Sequence, residues 1–271
     1  NTKFRDLLQR GRALGCDRIA TGHYVRIEHD GQESRLLRGL DDAKDQSYFL
    51  WGLPPSMLAT LLFPLGDLTK DEVRERARAL ELVTAEKPES QEICFVPTGD
   101  YRDLLQKRLG GVHPALEPGK LVTRDGRIMG EHSGYAGFTV GQRRGLGGGF
   151  PEPMFVLEIR PETREVVIGS RDELYQDRVR VGELNWLTGA PTPGDRVRVQ
   201  LRYRAPVVEA VVVEGGNDAP RGAPGLTLDL AEPQAAVTPG QSAVVFEGDR
   251  VLGGGRIAEA GRTAATTPAE V

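Results

Sequence analysis

The pattern of apolar residues changes near Gly110-Gly111, and this change constrains the fold of the chain more than any other feature. Before it, helix-like stripes of apolar residues alternate with short strand-like segments, whereas after it nearly every segment is a short strand bounded by turn residues. The 34 glycines and 18 prolines among 271 residues agree with many turns. We therefore predict an α/β front part followed by mainly β structure.

The front part, residues 1–110, is predicted to be the remainder of an α/β domain. Its predicted elements are a helix over 4–14, a strand at 18–20, a hairpin over 24–40, a helix over 54–62 and a helix that begins at 69. The last helix starts at a capping box formed by Thr69 and Glu72. Val73, Ala77 and Leu80 recur at helical spacing and are expected to be its buried stripe.

Behind residue 110 we predict a small central β domain over 111–173, a β-barrel over 174–261 and a disordered tail over 262–271. Regularly spaced short strands favour the sheet and the barrel, whereas the tail consists of Ala, Thr and Pro without periodicity. The strand candidates are residues 121–122, 154–159, 164–168, 197–203, 207–213, 226–230 and 243–246.

Composition narrows the classes of function. The net charge of −4 argues against binding of nucleic acid through overall charge, so any RNA contact needs a local basic patch. No apolar run reaches the ~18 residues that cross a bilayer, and we expect no membrane partner. Two cysteines do not make a disulfide framework and indicate a reducing compartment such as the cytoplasm.

One basic patch is predicted on a strand. Arg196, Arg198, Arg202 and Arg204 alternate with apolar residues, so a strand would place all four on one face. The solvated outer face of a barrel would explain part of this pattern. Four arginines without an intervening acid exceed what solubility needs, however, and we interpret them as a surface that follows RNA phosphates.

Two short polar runs follow predicted strands. Gly22 and His23 come after the first strand, where α/β sheets hold nucleotides, but a plain turn with an exposed histidine is the alternative. Lys44, Asp45 and Gln46 offer a cation, an anion and an amide for a polar substrate, although a capped helix start would also explain them. Both runs are candidate binding residues.

The two cysteines receive opposite interpretations. Cys94 lies between Ile93 and Phe95, where a buried small side chain is the common case. A polar loop over 86–92 leads into it, however, and a thiol at the end of such a loop can be exposed and mobile, as a sulfur carrier must be. Cys16 follows a helix end and is interpreted as a buried structural residue.

Two further patterns argue against particular sites. The other three histidines lack the spacing of metal ligands, so no metal site is predicted; they are His29, His113 and His132. The glycine-rich segment 141–149 lacks the Lys-Ser/Thr ending of a Walker loop and is not followed by a helical pattern. We expect a basic loop between domains there and not a nucleotide cradle.

In their order and spacing these runs resemble the bacterial tRNA 2-thiouridylase family. The resemblance rests on residues 20–24, 44–50, 91–96, 141–147, 202–204, 238–244 and 252–255, and so covers nearly the whole chain. It implies an adenine nucleotide alpha-hydrolase-like front domain. It also implies an enzyme that uses ATP to adenylate the C2 oxygen of the wobble uridine of tRNA and then places sulfur on C2.

The resemblance assigns roles to single residues. It implies that Cys94 carries the sulfur as a persulfide, that Gly22 contacts ATP and that His23 contacts the tRNA. The base must leave its stack to be reached, and the other residues implied to grip the tRNA are Lys44, Asp45, Gln46, Arg202, Tyr203 and Gln241. ATP, with Mg²⁺, is implied as a substrate without a tightly bound cofactor, and a cysteine desulfurase or sulfur-relay protein as the sulfur donor.

The sequence departs from the family pattern at its start. The family's Ser-Gly-Gly-Val-Asp-Ser type loop, which binds pyrophosphate, and its second cysteine are not among the residues from Asn1 onward. We therefore expect the C-terminal portion of such an enzyme, inactive alone. Two alternatives stay open. One is an RNA-binding module in which Cys94 is packing; the other is a different ATP-dependent ligase or amidating enzyme on a related scaffold.

Overall fold

The structure, a computed structural model, describes residues 2–31, 33–87, 113–215 and 225–263. These residues fall into two compact units. The first combines the described residues of Asn1–Lys87, Asp177–Glu232 and Thr238–Val271, and the second combines those of Pro88–Gln176 and Pro233–Val237. Cys94 and most of the predicted tail, from residue 264 onward, lie outside the described residues.

The front of the first unit contains helices and short strands. Its elements are α1 (Thr2–Ala13), β1 (Ile19–Ala20), β2 (Val25–Asp30), β3 (Glu33–Arg38), a 3₁₀ turn (Ser47–Phe49), α2 (Pro55–Leu58), β4 (Leu61–Leu62) and α3 (Lys70–Ala79). β1 and β4 pair in parallel, with Ile19 opposite Leu61. Ligands of α/β folds bind beyond the carboxyl ends of parallel strands, so the residues after β1 lie where a ligand is expected.

The second unit is built on a four-stranded sheet. Its strands are β5 (Gly119–Val122), β6 (Ile128–His132), β7 (Phe155–Arg160) and β8 (Glu165–Gly169), in the order β6-β5-β8-β7. The core of this unit consists of Leu121, Leu146, Met154, Val156, Val166 and Ile168. Because Leu146 is part of this core, the glycine-rich segment 141–149 is an internal loop of the unit and not the predicted connection between domains.

The remaining strands form a closed barrel. They are β9 (Tyr175–Trp186), β10 (Arg196–Gln200), β11 (Val208–Glu214), β12 (Leu226–Ala235), β13 (Ser242–Glu247) and β14 (Arg250–Gly261). Neighbours pair in the order β13-β10-β11-β12-β9-β14, and β13 also pairs with β14, which closes the ring of six strands. The β2–β3 hairpin extends this sheet, because Leu37 of β3 pairs with Arg250 of β14.

One core joins the front part of the first unit to its barrel strands. Leu36 and Leu58 from the front lie in the same buried cluster as Val244 and Phe246 from the barrel. Complete burial of such side chains contributes on the order of 1.5–3 kcal/mol each. This shared core fixes the loop that follows β3 against the barrel, and that arrangement positions the candidate site.

The predicted fold class is confirmed, because an α/β front part precedes a small sheet and a β-barrel. The helix predicted over 54–62 is wrong beyond Leu58, since Leu61 and Leu62 form β4 against β1. α3 begins at the predicted capping box, but the predicted burial of its stripe is wrong and Leu80 is exposed. The predicted domain boundaries stay predictions.

Candidate functional site

Gly22 lies on an exposed turn beyond the carboxyl end of β1. The N–H of Thr21 donates to Leu62 O at 3.0 Å, and the hydroxyl of Thr21 is buried without a hydrogen-bond partner among the described residues. A Cβ added to Gly22 would meet Leu65 Cδ1 at 3.6 Å, which is an ordinary contact. The described fold therefore does not require glycine here, whereas a ligand close to the backbone would.

The side-chain oxygen of Gln46 accepts two hydrogen bonds, one from the ring of His23 and one from the backbone of Tyr24. Oε1 of Gln46 accepts from the N–H of Tyr24 at 3.1 Å and lies 3.0 Å from Nδ1 of His23. Because a backbone N–H only donates, the shared atom is the oxygen and Nδ1 of His23 must carry a proton. Nε2 of the neutral ring is then an acceptor. The imidazole also stacks on Phe4, with 5.6 Å between ring centroids.

Asp45 is buried, and its carboxylate accepts hydrogen bonds from neighbouring residues of the same chain. The carboxylate accepts from Gly39 N–H at 2.9 Å, from Ser47 N–H at 3.1 Å and from the Ser47 hydroxyl at 2.7 Å. Arg38 Nε adds a charged bond at 3.2 Å. These bonds fix the loop that carries half-buried Lys44 next to Asp45. They indicate a positioning role for Asp45, and its RNA contact stays a prediction.

Arg202, Tyr203 and Gln241 line one cleft of about 680 Å³ in the first unit. Arg202 and Tyr203 come from the turn after β10, and Gln241 comes from the turn before β13. The cleft therefore brings together three predicted site residues from two separate loops. The other lining residues are Tyr48, Phe49, Trp51, Gly52, Glu183, Gly240, Ser242 and Arg256.

Aromatic rings connect this cleft to the loop that carries Lys44, Asp45 and Gln46. Phe49 contacts Tyr203 with 4.5 Å between ring centroids, and Tyr48 lies 5.5 Å from Phe49. The hydroxyl of Tyr48 donates to Ser242 O at 3.0 Å, next to Gln241. These two rings, which come shortly after the predicted run 44–46, thus contact the cleft, although they are far from Tyr203 and Ser242 in the sequence.

The electrostatics of the cleft favour an anionic ligand. Burial raises the pKa of Tyr48, against the opposing effects of Ser242, Arg256 and Arg202, so its phenol is neutral at physiological pH. Arg202 is exposed and forms no ion pair with a described residue. The guanidinium of Arg204 lies 5.3 Å from the centroid of the Tyr203 ring. Unpaired or ring-associated cations of this kind are available to phosphate groups.

The predicted face of four arginines is wrong. β10 ends at Gln200, whose buried side chain donates to a carbonyl oxygen in the following turn at 3.0 Å. Arg202 and Arg204 therefore leave the strand, and Arg204 takes a φ of 62°. Arg198 stays on β10 but lies 3.7 Å from Glu209 on β11. Arg202 is the member of the predicted row that lines the cleft.

Of the two cysteines, only Cys16 lies among the described residues. The predicted burial of Cys16 is wrong, because its thiol is exposed. The N–H of Cys16 donates to Gly11 O at 2.9 Å, so the backbone closes the turn after α1 and the side chain is left at the surface. Cys94 lies outside the described residues.

The described ranges contain neither a cluster of metal ligands nor a helix that could cross a membrane. In residues 2–31, 33–87, 113–215 and 225–263, no three His, Cys, Asp or Glu side chains are grouped so that they could hold a metal ion. None of the helices in these ranges combines the length and the apolarity that a membrane crossing needs.

Three family models match successive parts of the chain. Residues 1–98 match a model described as tRNA methyl transferase HUP domain, residues 103–170 match tRNA methyl transferase PRC-barrel domain, and residues 176–257 match aminomethyltransferase beta-barrel domain. Curated relatives carry the name tRNA-specific 2-thiouridylase MnmA. The relative from Rhodospirillum centenum is 46% identical over 99% of this chain and 68% of its own length. The chain belongs to the tRNA-specific 2-thiouridylase family.

Further members of this family show a similar degree of identity. The relative from Carboxydothermus hydrogenoformans is 45% identical over 94% of this chain and 68% of its own length. One from Acidithiobacillus ferrooxidans is 46% identical over 94% of this chain and 70% of its own length. These matches confirm the resemblance predicted from the sequence runs. The roles of single residues stay predictions.

The sequence reasoning missed part of the cleft. Phe49, Trp51 and Arg256 line it, but none of the three is among the site residues predicted from the sequence. A signal for it exists, because Tyr48, Phe49 and Trp51 place three aromatic residues directly after a polar run. Aromatic side chains interleaved with polar and basic ones are typical of surfaces that bind single-stranded nucleic acid.

Proposed function

We propose that the protein places sulfur on C2 of the wobble uridine of tRNA in an ATP-dependent reaction. The observation that carries this proposal is the cleft in which Arg202, Tyr203 and Gln241 meet Phe49. Cations beside exposed aromatic rings suit single-stranded RNA, because guanidinium groups bind phosphates and rings stack on bases. The curated relatives are named tRNA-specific 2-thiouridylase, which supports 2-thiolation of uridine in tRNA.

The loop before the cleft is proposed to help hold the tRNA. His23 and Gln46 are hydrogen-bonded to each other, and Lys44 lies on the same loop as Gln46. Asp45 is proposed to act by fixing this loop through its bonds to Ser47 and the backbone. Because C2 of a stacked base is inaccessible, these groups would receive a uridine that has left its stack.

ATP is proposed to bind at the turn after β1. The exposed backbone of Gly22 and the unpartnered hydroxyl of Thr21 fit a polar ligand that approaches the chain closely. ATP supplies activation of the C2 oxygen, which makes that oxygen a leaving group. We propose that Mg²⁺ accompanies ATP and that no other cofactor is tightly bound.

Cys94 is proposed to carry the sulfur as a persulfide. The terminal sulfur forms a bond to C2 while the activated oxygen leaves with the AMP group. Attack of a second thiol on Sγ of Cys94 then breaks the S–S bond, forms a disulfide and leaves the sulfur on the base. A cysteine desulfurase or a sulfur-relay protein is proposed to charge Cys94 in the cytoplasm, where thiols stay reduced.

Serine substitutions test the sulfur route in the protein expressed from its complete gene. Cys94→Ser should abolish 2-thiouridine, measured by mass spectrometry of digested tRNA, and leave the Kd for tRNA unchanged, because a hydroxyl carries no persulfide. Cys16→Ser changes the other cysteine of the sequence and is the matched control. It should thiolate normally. Normal 2-thiouridine formation by Cys94→Ser would reject the proposed route.

The same experiment separates the proposed function from its alternatives. A protein that binds tRNA but forms no 2-thiouridine in the presence of ATP and a sulfur donor would be an RNA-binding module. A protein that consumes ATP without any affinity for tRNA would be a different ATP-dependent ligase. Thiolation that depends on Cys94 and on ATP excludes both alternatives.

A further inference from the structure

Phe49 is exposed although it is a large aromatic residue between two buried neighbours. Its accessible fraction is 55%, whereas Tyr48 and Leu50 are buried. Its ring contacts Tyr203 at a tilt of 48°. The proposed function counts the ring of Phe49 among those of the cleft but does not say which group of the RNA it contacts. A ring that is supported by a neighbouring ring and open to a cleft is preorganised for stacking on another flat group.

Arg256 is a second residue of the cleft without an assigned RNA contact, and its guanidinium is held in place. Nη1 of Arg256 donates to Gly240 O at 3.3 Å and to the Ser242 hydroxyl at 3.2 Å. The guanidinium carbon lies 6.0 Å from the ring centroid of Trp51. Together with Arg202, Arg256 places two cations in the cleft. Two cations beside an exposed ring match the phosphates and the base of a nucleotide.

Glu183 is the acidic member of the cleft lining. Its φ of 48° lies in the left-handed region, which glutamate rarely adopts. It lies on β9 where the pairing with β14 shifts register between Gly254 and Arg256, as in a β-bulge. The β-bulge accounts for the backbone conformation of Glu183. Its carboxylate lines the cleft without an ionic partner among the described residues and is available to accept hydrogen bonds from a ligand.

We propose that this cleft binds one unstacked nucleotide of the RNA. The base stacks on Phe49, the flanking phosphates contact Arg202 and Arg256, and an N–H group on the edge of the base donates to Glu183. Carboxylates accept hydrogen bonds from such base edges, whereas a phosphate alone would be repelled by Glu183. The proposal rests on the proposed function, because it specifies the RNA contact of the same cleft.

Abasic substitutions in an anticodon stem–loop RNA identify the bound base. With wild-type protein, we expect one loop position at which an abasic nucleotide weakens binding about tenfold. With Phe49→Ala, the same abasic nucleotide should change the Kd little, because the ring on which the base stacks is already lost. Equal losses for both proteins at every loop position would overturn the proposal.

Further variants separate stacking from apolar packing. Phe49→Trp should bind the stem–loop as wild type does, whereas Phe49→Leu should bind about tenfold more weakly, since leucine keeps apolar bulk without a flat ring. Ile128→Ala is the matched control, because Ile128 is 57% exposed and lies on β6 of the second unit. It should leave the affinity unchanged. Wild-type affinity of Phe49→Leu would contradict stacking.

Glu183→Ala changes the affinity for RNA in a direction that shows what the carboxylate of Glu183 does. A carboxylate that merely lies near phosphates repels them, so its removal would tighten RNA binding. A carboxylate that accepts from the base stabilises the complex, so Glu183→Ala should weaken binding several-fold. Tighter or unchanged binding would remove Glu183 from the nucleotide site.

The outcomes distinguish this inference from the proposed function. If the wild-type protein neither binds the stem–loop nor forms 2-thiouridine, the proposed function fails and the nucleotide site fails with it. If the wild-type protein does both and Phe49→Ala binds each stem–loop, intact or abasic, with the wild-type Kd, the nucleotide site alone is rejected.

Discussion

At the scale of single residues, the glycines separate into those that packing requires and those that it does not. A Cβ on Gly39 would lie 2.6 Å from Tyr24 O, so the hairpin leaves no room for a side chain there. A Cβ on Gly22 would meet only Leu65, at 3.6 Å. If ATP approaches the backbone of Gly22, a side chain at this position weakens the binding of ATP and leaves the stability of the fold unchanged.

We predict that Gly22→Ala keeps its unfolding temperature and raises the KM for ATP about tenfold. The measurement is the initial rate of 2-thiouridine formation at varied ATP concentration. Gly11→Ala is the matched control, since its Cβ would also make only ordinary contacts, 3.7 Å from Cys16 Cβ. It should leave this KM unchanged. A wild-type KM for Gly22→Ala would place ATP elsewhere.

The sequence predicts which residues belong to the candidate site, but it predicts the contacts of their side chains only in part. The position of Gly22 follows from the short strand before it, because strand ends mark the ligand edge of α/β sheets. The use of Asp45 does not follow, since its carboxylate accepts from Gly39 and Ser47 only after the loop folds back on itself. The exposure of Phe49 is likewise set by the tertiary position of Tyr203.

At the scale of elements, His132 at the end of β6 holds a turn of the second unit. Its Nδ1 accepts from Gly134 N–H at 3.1 Å, so Nε2 carries the proton and donates to Arg164 O at 3.1 Å. Burial lowers the pKa of His132 below its ordinary value of 6.5. The unfolded chain therefore takes up a proton near pH 6.5 that the folded protein does not. The free energy of unfolding is therefore highest above pH 6.5 and falls as the pH drops from 6.5 through the lower pKa of His132 in the folded protein.

We predict that the region around β5–β8 unfolds more readily as the pH falls from 8 to 5, which hydrogen exchange of peptides from this region measures. His132→Asn should flatten the pH dependence and cost about 1 kcal/mol, because its amide replaces the bond to Gly134 but not the one to Arg164. His29→Asn is the control, because His29 is exposed on β2. It should keep the wild-type profile. An unchanged profile in His132→Asn would contradict this role.

The predicted elements fail where a tertiary contact overrides the local pattern. Leu61 and Leu62 continue a helical stripe, but pairing with β1 makes them a strand. The predicted strands did not include β14, since Gly253, Gly254 and Gly255 have low strand propensity. These glycines fit a close approach of strands, because a Cβ on Gly254 would lie 3.2 Å from Val244 Cα. The capping box of α3 depends on local bonds alone and was predicted correctly.

At the scale of the whole molecule, the cleft proposed to bind RNA depends on front residues and barrel residues that share one core. The strand pattern predicts a barrel, but it does not predict that Phe49 meets Tyr203. The predicted row of arginines shows how far the strand pattern can be used for prediction. Its alternation continues in the sequence beyond Gln200, where β10 ends. The side chain of Gln200 closes a turn there, and this turn moves Arg202 from the strand to the cleft.

We propose that the cleft, and not the whole length of β10, contacts the tRNA. The most direct test is the Kd for tRNA, measured at several salt concentrations for Arg202→Gln and Arg196→Gln. Arg196 is the matched control, since it is exposed on β10 and does not line the cleft. Both substitutions remove one positive charge.

We predict that Arg202→Gln weakens tRNA binding about tenfold and lowers the slope of log K against log salt by about one. Arg196→Gln should match the wild-type protein in both quantities. Equal losses for the two variants would overturn this proposal, because the phosphate contacts would then extend from the cleft to Arg196 on β10.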